Sequence, residues 1–153
     1  MSNRRNPIII AHRGAALPLT HPENTVAAFR RARSVASDWV ELDVRRTSDA
    51  KTAVHHDARL ADGRLIASLE RSSLPGDVPD LDEALLACAG MGVNVEIKNF
   101  VAEPDYDATH WLSHAVVDAA RRADPPVSEL VAMGVDGICT NVPDLARRVI
   151  ETS

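Results

Sequence analysis

Residues 39–47 read WVELDVRRT, and the alternation inside them sets the reading of the chain. Side chains along a strand point to opposite faces in turn, so Val40, Leu42 and Val44 share one face while Glu41 and Asp43 share the other. An apolar face of this kind packs on helices, which turns the two carboxylates toward an enclosed interior or cleft. Residues 92–98, GVNVEIK, repeat the pattern: Val93, Val95 and Ile97 face one way, and Asn94, Glu96 and Lys98 the other.

Outward from these two segments, short β-branched runs alternate with helical patterns. PIIIAH (7–12) and, less sharply, TAVHHD (52–57) read as strands. NTVAAFRRARSVAS (24–37) reads as a helix with Ala28, Phe29, Ala32, Val35 and Ala36 on one face. Residues 58–80, rich in Gly, Pro, Ser and Asp, predict a long irregular connection. DLDEALLACAG is a helix capped near Asp80 or Asp82 and ended by Gly90. YDATHWLSHAVVDAARRAD is a helix whose stripe is Trp111, Leu112, Ala115, Val116 and Ala119. Helix, strand and helix follow in VSELVAMG, VDGICTN and DLARRVIE. Such alternation predicts parallel strands joined by crossover helices. It breaks once, at 124–128, where DPPVS joins helix to helix with no strand between.

Composition excludes several classes of function. The chain has 153 residues, a net charge of −5 and only 3% aromatic residues, so it lacks the basic stripe and stacking surfaces of a nucleic-acid binder. The apolar run after the basic start MSNRRNP is too short for a secretory signal, and no run reaches the roughly 18 residues of a membrane span. Cys88 and Cys139 sit in apolar contexts and predict two buried free thiols. The expectation is a single cytoplasmic domain over residues 1–153.

The strand ends carry the chemistry. The first ends in His12-Arg13-Gly14, the second carries Glu41 and Asp43, the third ends in His55-His56-Asp57, and the fourth carries Glu96 and Lys98. Parallel α/β folds build their sites at the carboxyl ends of strands. Three converging carboxylates raise one another's pKa unless a cation sits among them, and an all-oxygen set suits Mg²⁺ or Ca²⁺. His110 and His114 have the spacing of a helical zinc motif, but Trp111 stands where its catalytic glutamate belongs.

In this order and spacing, AHRG, PENTVAAF, VELDVRRTSD, VHHD, VNVEIK and GVDGICTNVPD resemble the signatures of glycerophosphodiester phosphodiesterases, over most of residues 8–145. The resemblance implies an eight-stranded (β/α) barrel. It also implies cation-dependent hydrolysis of glycerophosphodiesters to sn-glycerol 3-phosphate and an alcohol. It implies His12 and His56 as the acid/base pair, Arg13 and Lys98 as phosphate contacts, and Glu41, Asp43 and Glu96 as metal ligands. Glu23 and Asn24, in the PEN loop, would order the site around His12 and Arg13. Ala50 departs from the family's usual glycine after Thr47-x-Asp49, and Thr20-His21 precede the PEN loop.

Such a barrel needs about 250 residues. The chain is therefore expected to be an incomplete barrel of about five parallel strands that lacks strands five to seven. The seam falls near residue 127, between βα units in 1–126 and a final helix-strand-helix in 127–153. Open edge strands predict self-association and weakened catalysis. Two alternatives stand beside the phosphodiesterase: a non-catalytic or self-associating remnant, and a related lysophospholipid phosphodiesterase.

Overall fold

The computed structural model describes residues 9–123. The expected seam near 127, the strand VDGICTN, the closing helix and Cys139 lie outside the described residues.

At the centre is β2 (Trp39–Arg46). β1 (Ile10–Ala11) pairs parallel to it on one side, with Ile10 opposite Trp39. β4 (Gly92–Ile97) pairs parallel to it on the other, from Trp39 opposite Gly92 to Val44 opposite Ile97. β3 (Thr52–Val54) lies against the carboxyl end of β2 and runs antiparallel, with Val44 opposite Val54.

That direction corrects the expectation of uniformly parallel strands. Only residues 47–51 separate β2 from β3, and a parallel pair needs a crossover of a dozen residues or more. The link closes as a tight turn, with the Thr47 amide donating to the Lys51 carbonyl at 2.9 Å and Ala50 in the left-handed region at φ 54°. The family's usual glycine at this position is thereby explained, since left-handed backbone suits glycine. TAVHHD is therefore a hairpin arm, and the parallel path through the described residues holds β1, β2 and β4.

One face of the sheet carries the core. Val40, Leu42 and Val44 are buried against Phe29 and Ala32 of α1 (Val26–Ser34), Leu81 and Ala84 of α2 (Leu81–Ala87), and Leu112, Val116 and Ala119 of α3 (Trp111–Arg122). Thr25 caps α1 by accepting from the Ala28 amide, and α1 ends before Val35. Val35 is exposed and Ala36 turns left-handed, so neither joins the predicted stripe. Asp80 and Glu83 form a reciprocal capping box on α2, which selects Asp80 over Asp82. α3 begins at Trp111, later than the pattern suggested, because His110 is left-handed. Residues 58–80 are more ordered than predicted. They form two short 3₁₀ turns, Ile66–Ser68 and Arg71–Ser73, over a small second core of Ala53, Leu60, Ile66, Leu74 and Val78.

Candidate active site

The other face of β2 holds the polar groups. Asp43 is opposite Glu96 in the β2–β4 register, and Glu41 precedes Asp43 by one full pleat. Parallel neighbours in register put their side chains on a common face, and oxygens of Glu41, Asp43 and Glu96 lie within 4.8 Å of one another. The sequence-predicted carboxylate cluster is thus brought together by strand pairing.

Asp43 is the most thoroughly held of the three. Its Oδ2 accepts from Asn24 Nδ2 at 2.9 Å and lies 3.4 Å from Arg13 Nε, and its Oδ1 is 3.0 Å from Lys98 Nζ. Burial alone would raise the Asp43 pKa. The bonds from Asn24 and Lys98 outweigh it, and the carboxyl titrates below the usual range. Glu41 goes the other way, raised first by burial and then by the Asp43 charge. Its Oε2 accepts the Arg13 amide at 3.0 Å, while its Oε1 is buried with no hydrogen-bond partner among the described residues. The two neighbouring carboxylates thus shift in opposite directions, Asp43 toward its charged form and Glu41 toward its neutral one.

The loop after β1 bends sharply to reach this face. The Gly14 amide donates to the Ala11 carbonyl at 3.2 Å, with Arg13 at φ 55° and Gly14 at φ 82°. A side chain at Gly14 would come within 2.8 Å of the Ala28 Cβ on α1, so the position needs glycine twice over. Arg13 is held in its left-handed backbone by Glu41 on its amide and by Asn24, whose amide donates to its carbonyl at 2.9 Å. Its Nη1 donates to Glu23 Oε1 at 2.9 Å. Burial pulls the Arg13 pKa down, but Glu23 outweighs this and the net direction is up. Glu23 thus pairs with the Arg13 side chain, whereas the Asn24 side chain bonds Asp43.

His12 is the loosest member. Its side chain is 72% exposed, and Nε2 lies 3.8 Å from Glu41 Oε2. Lys98, expected at the phosphate, pairs with Asp43 at 3.0 Å and with Glu96 Oε1 at 2.8 Å. Burial lowers its pKa, yet the two carboxylates raise it more. His56 follows the end of β3, and its Nδ1 is 2.7 Å from Asp57 Oδ1. That bond is the main reason the Asp57 carboxyl titrates low. His55 is committed elsewhere, with its ring Nδ1 2.8 Å from the Asp57 carbonyl.

Two roles in this site were not assigned from sequence. Asp57, already placed at the third strand's end, holds the His56 ring, a role legible from the acid directly following the histidine. Arg45 was legible by parity, since it shares the strand face of Glu41 and Asp43; its guanidinium is buried against the His56 carbonyl and Asp105. The zinc spacing of His110 and His114 gathers no third ligand among the described residues. His114 instead lines a concavity of about 660 Å³ with Asp49, Arg71 and Arg122.

The residues fit a hard divalent cation. The donors are carboxylate oxygens throughout, and the orphaned Glu41 Oε1 is a buried acceptor lacking a partner that such an ion would supply.

Known proteins resemble the chain in sequence and fold. The structure superposes on a phosphodiesterase of Oleispira antarctica in complex with the product sn-glycerol-3-phosphate, with TM-score 0.66 and 28% identity over 76% of this chain and 53% of that one. A glycerophosphodiester phosphodiesterase of Thermotoga maritima gives TM-score 0.64 and 27% identity over 78% of this chain and 52% of that one. Among curated relatives, a probable glycerophosphodiester phosphodiesterase 2 of Mycobacterium tuberculosis is 34% identical over 102 residues, covering 60% of this chain and 38% of that protein. The chain thus spans about half the length of these solved structures, and its open α/β sheet is consistent with a partial barrel. The model of the glycerophosphoryl diester phosphodiesterase family matches residues 12–126, from the first histidine of the site to just beyond the last described residue, and the chain belongs to that family.

Proposed function

We propose that this chain is a divalent-cation-dependent phosphodiesterase that hydrolyses glycerophosphodiesters to sn-glycerol 3-phosphate and an alcohol, at a rate reduced by its shortened scaffold. One observation carries the reading: Glu41, Asp43 and Glu96 converge within 4.8 Å beneath Arg13, which is itself fixed by Glu23 and Asp43.

Glu41, Asp43 and Glu96 would hold Mg²⁺ or Ca²⁺, which when bound stabilises negative charge on phosphate oxygens. Arg13 binds the phosphate: a guanidinium has five N–H donors, and the contacts to Glu23 and Asp43 leave donors to spare. His56 and His12 exchange the protons. Asp57 is an ionised acceptor, so it takes the Nδ1–H of His56 and leaves Nε2 as the reactive nitrogen. His12, open to solvent beside Glu41, is placed to serve the opposite side of the reaction. Lys98 neutralises Asp43 and Glu96 and supplies the second positive charge near the phosphate.

The open sheet supports reduced turnover and self-association, because Ile9 and Ile10 are exposed at the β1 edge. A cytoplasmic setting fits Cys88, a free buried thiol whose pKa burial pushes up to about 12. No helix among the described residues is long and apolar enough to cross a membrane.

A second reading, a lysophospholipid phosphodiesterase, is favoured by Phe100, Val101 and Tyr106, exposed on the loop that follows Lys98. Purified protein is assayed for glycerol 3-phosphate release from glycerophosphocholine with Mg²⁺, with Ca²⁺ and with EDTA, beside Glu96→Ala and with lysophosphatidylcholine as rival substrate. Chelator-sensitive turnover that is absent in Glu96→Ala supports the proposal. Turnover of the lysolipid alone transfers it to the second reading, and no turnover of either substrate leaves the non-catalytic remnant.

A further inference from the structure

Arg45 is almost wholly enclosed, with a side chain 2% exposed, yet its guanidinium is divided among three partners. Nε and Nη2 both donate to the His56 carbonyl, at 2.8 and 2.6 Å. Nη1 donates to Asp105 Oδ2 at 2.7 Å, and Nη2 lies 3.0 Å from Glu103 Oε2. Asp105 is equally buried. One cation therefore ties the end of β2 to the exit of β3 and to the loop beyond β4.

The target of the fork is what matters. β3 ends at Val54, so His56 lies past the strand ladder, and no other hydrogen bond reaches its carbonyl among the described residues. The carbonyl gripped by Arg45 belongs to the peptide that joins His56 to Asp57. The orientation of that peptide sets where the Asp57 carboxylate stands relative to the His56 ring, a contact of 2.7 Å. Two N–H donors converging on one oxygen hold its position from a rigid fork, which a lysine's single flexible ammonium cannot do.

We propose that Arg45 is a positioning residue for the acid/base histidine: by clamping the His56–Asp57 peptide it holds the His56 ring against Asp57, so that a single tautomer presents Nε2 to the substrate. This rests on the phosphodiesterase reading for its catalytic consequence, but the tautomer itself is observable without turnover. Asp105 and Glu103 hold the guanidinium in place, so loop 99–110 shares in the alignment of a histidine on a different strand exit.

The test uses the full ¹⁵N-labelled chain and long-range ¹H–¹⁵N correlations of the imidazole rings, with His56→Asn identifying the His56 signals. Removing Arg45 alone would strand Asp105 as an unpaired buried charge, so the first variant is the double Arg45→Met/Asp105→Leu, which removes the pair together. The expected result is a wild-type His56 ring that is Nδ1–H when neutral, and a mixed tautomer in the double variant. With it, kcat falls about 10- to 100-fold while KM and the Mg²⁺ dissociation constant stay within about twofold. If the double variant loses its circular dichroism signature, Arg45→Lys carries the same comparison, with the ring signature partly restored. A wild-type ring in the other tautomer, or a ring signature unchanged in a folded variant, overturns the proposal. A mixed tautomer in the variant of a chain that has no turnover supports the clamp and removes the phosphodiesterase reading instead.

Discussion

β2 and β1 both deliver residues to the site, but they do so under opposite conditions. β2 is paired on both sides, and its Asp43 side chain is only 1% exposed, with Asn24, Arg13 and Lys98 all on its two oxygens. Among the described residues the two-residue β1 pairs with β2 alone, Ile10 and the preceding Ile9 are exposed, and the His12 that follows is open to water. The difference teaches where a half-length scaffold keeps its chemistry. Among the described residues the proposed cation floor has neighbours on both sides, whereas the rim beside β1 has fewer of them. Under the proposed function, catalysis would depend on fractions of an ångström, so the rim is expected to limit the rate and the floor the fold.

The largest test of that contrast sets Asp43→Ala against His12→Ala. Asp43→Ala is expected to abolish cation binding and to lower stability by about 3–5 kcal/mol, because Lys98 and Arg13 lose a buried partner. His12→Ala is expected to cost about 10²–10⁴-fold in kcat and under about 0.5 kcal/mol in stability, as befits an exposed side chain. Urea midpoints and kcat measured on both variants check this; a large stability loss in His12→Ala would break the comparison.

His56→Asn comes next, with a similar kcat loss and retained fold. Asp57→Asn should lose less, about 10-fold, since it orients rather than transfers. Steady-state kinetics on the pair would order the two roles.

Glu41 gives the pH dependence. Its folded pKa is raised, so its contribution to stability is fully present below the unfolded carboxylate pKa and is lost as pH rises through the raised value. The Asp43 contribution has the reverse sign, present above the unfolded pKa and lost as pH falls through the lowered one. Cation binding must displace the Glu41 proton, so Mg²⁺ affinity should weaken about tenfold per pH unit below the Glu41 pKa. Calorimetric titration from the ordinary carboxylate range up to neutral pH checks the slope, and Glu41→Gln should bind more weakly with that slope removed.

The smallest effect calibrates the scaffold away from the site. Ala50→Gly in the β2–β3 turn relieves a left-handed alanine, and should raise stability by about 0.5 kcal/mol after the entropy cost of glycine, with kcat unchanged. A thermal melt detects it.

Much of the site was legible in the sequence because strand periodicity is local. WVELDVRRT assigns Glu41 and Asp43 to one face and Val40, Leu42 and Val44 to the other, and the apolar core follows that division, although the two carboxylates are buried as well. The same parity placed Glu96 and Lys98 together. Arg45 obeyed it too, but an arginine at a strand end is ordinarily a solvated group, and nothing nearby in sequence announces Asp105. The acid that makes its burial tolerable lies sixty residues away.

By itself, then, the sequence determined which side chains share a face, the acidic donor set and its preference for a hard cation, and the family signatures in order. Only the tertiary structure decided that β3 turns back as a hairpin and leaves β4 beside β2, that Asp43 meets Glu96 in register, and that Lys98 settles on the carboxylates. The reason is range: side-chain alternation is fixed residue by residue, whereas which strands become neighbours depends on hydrogen bonds and packing between segments far apart in the chain.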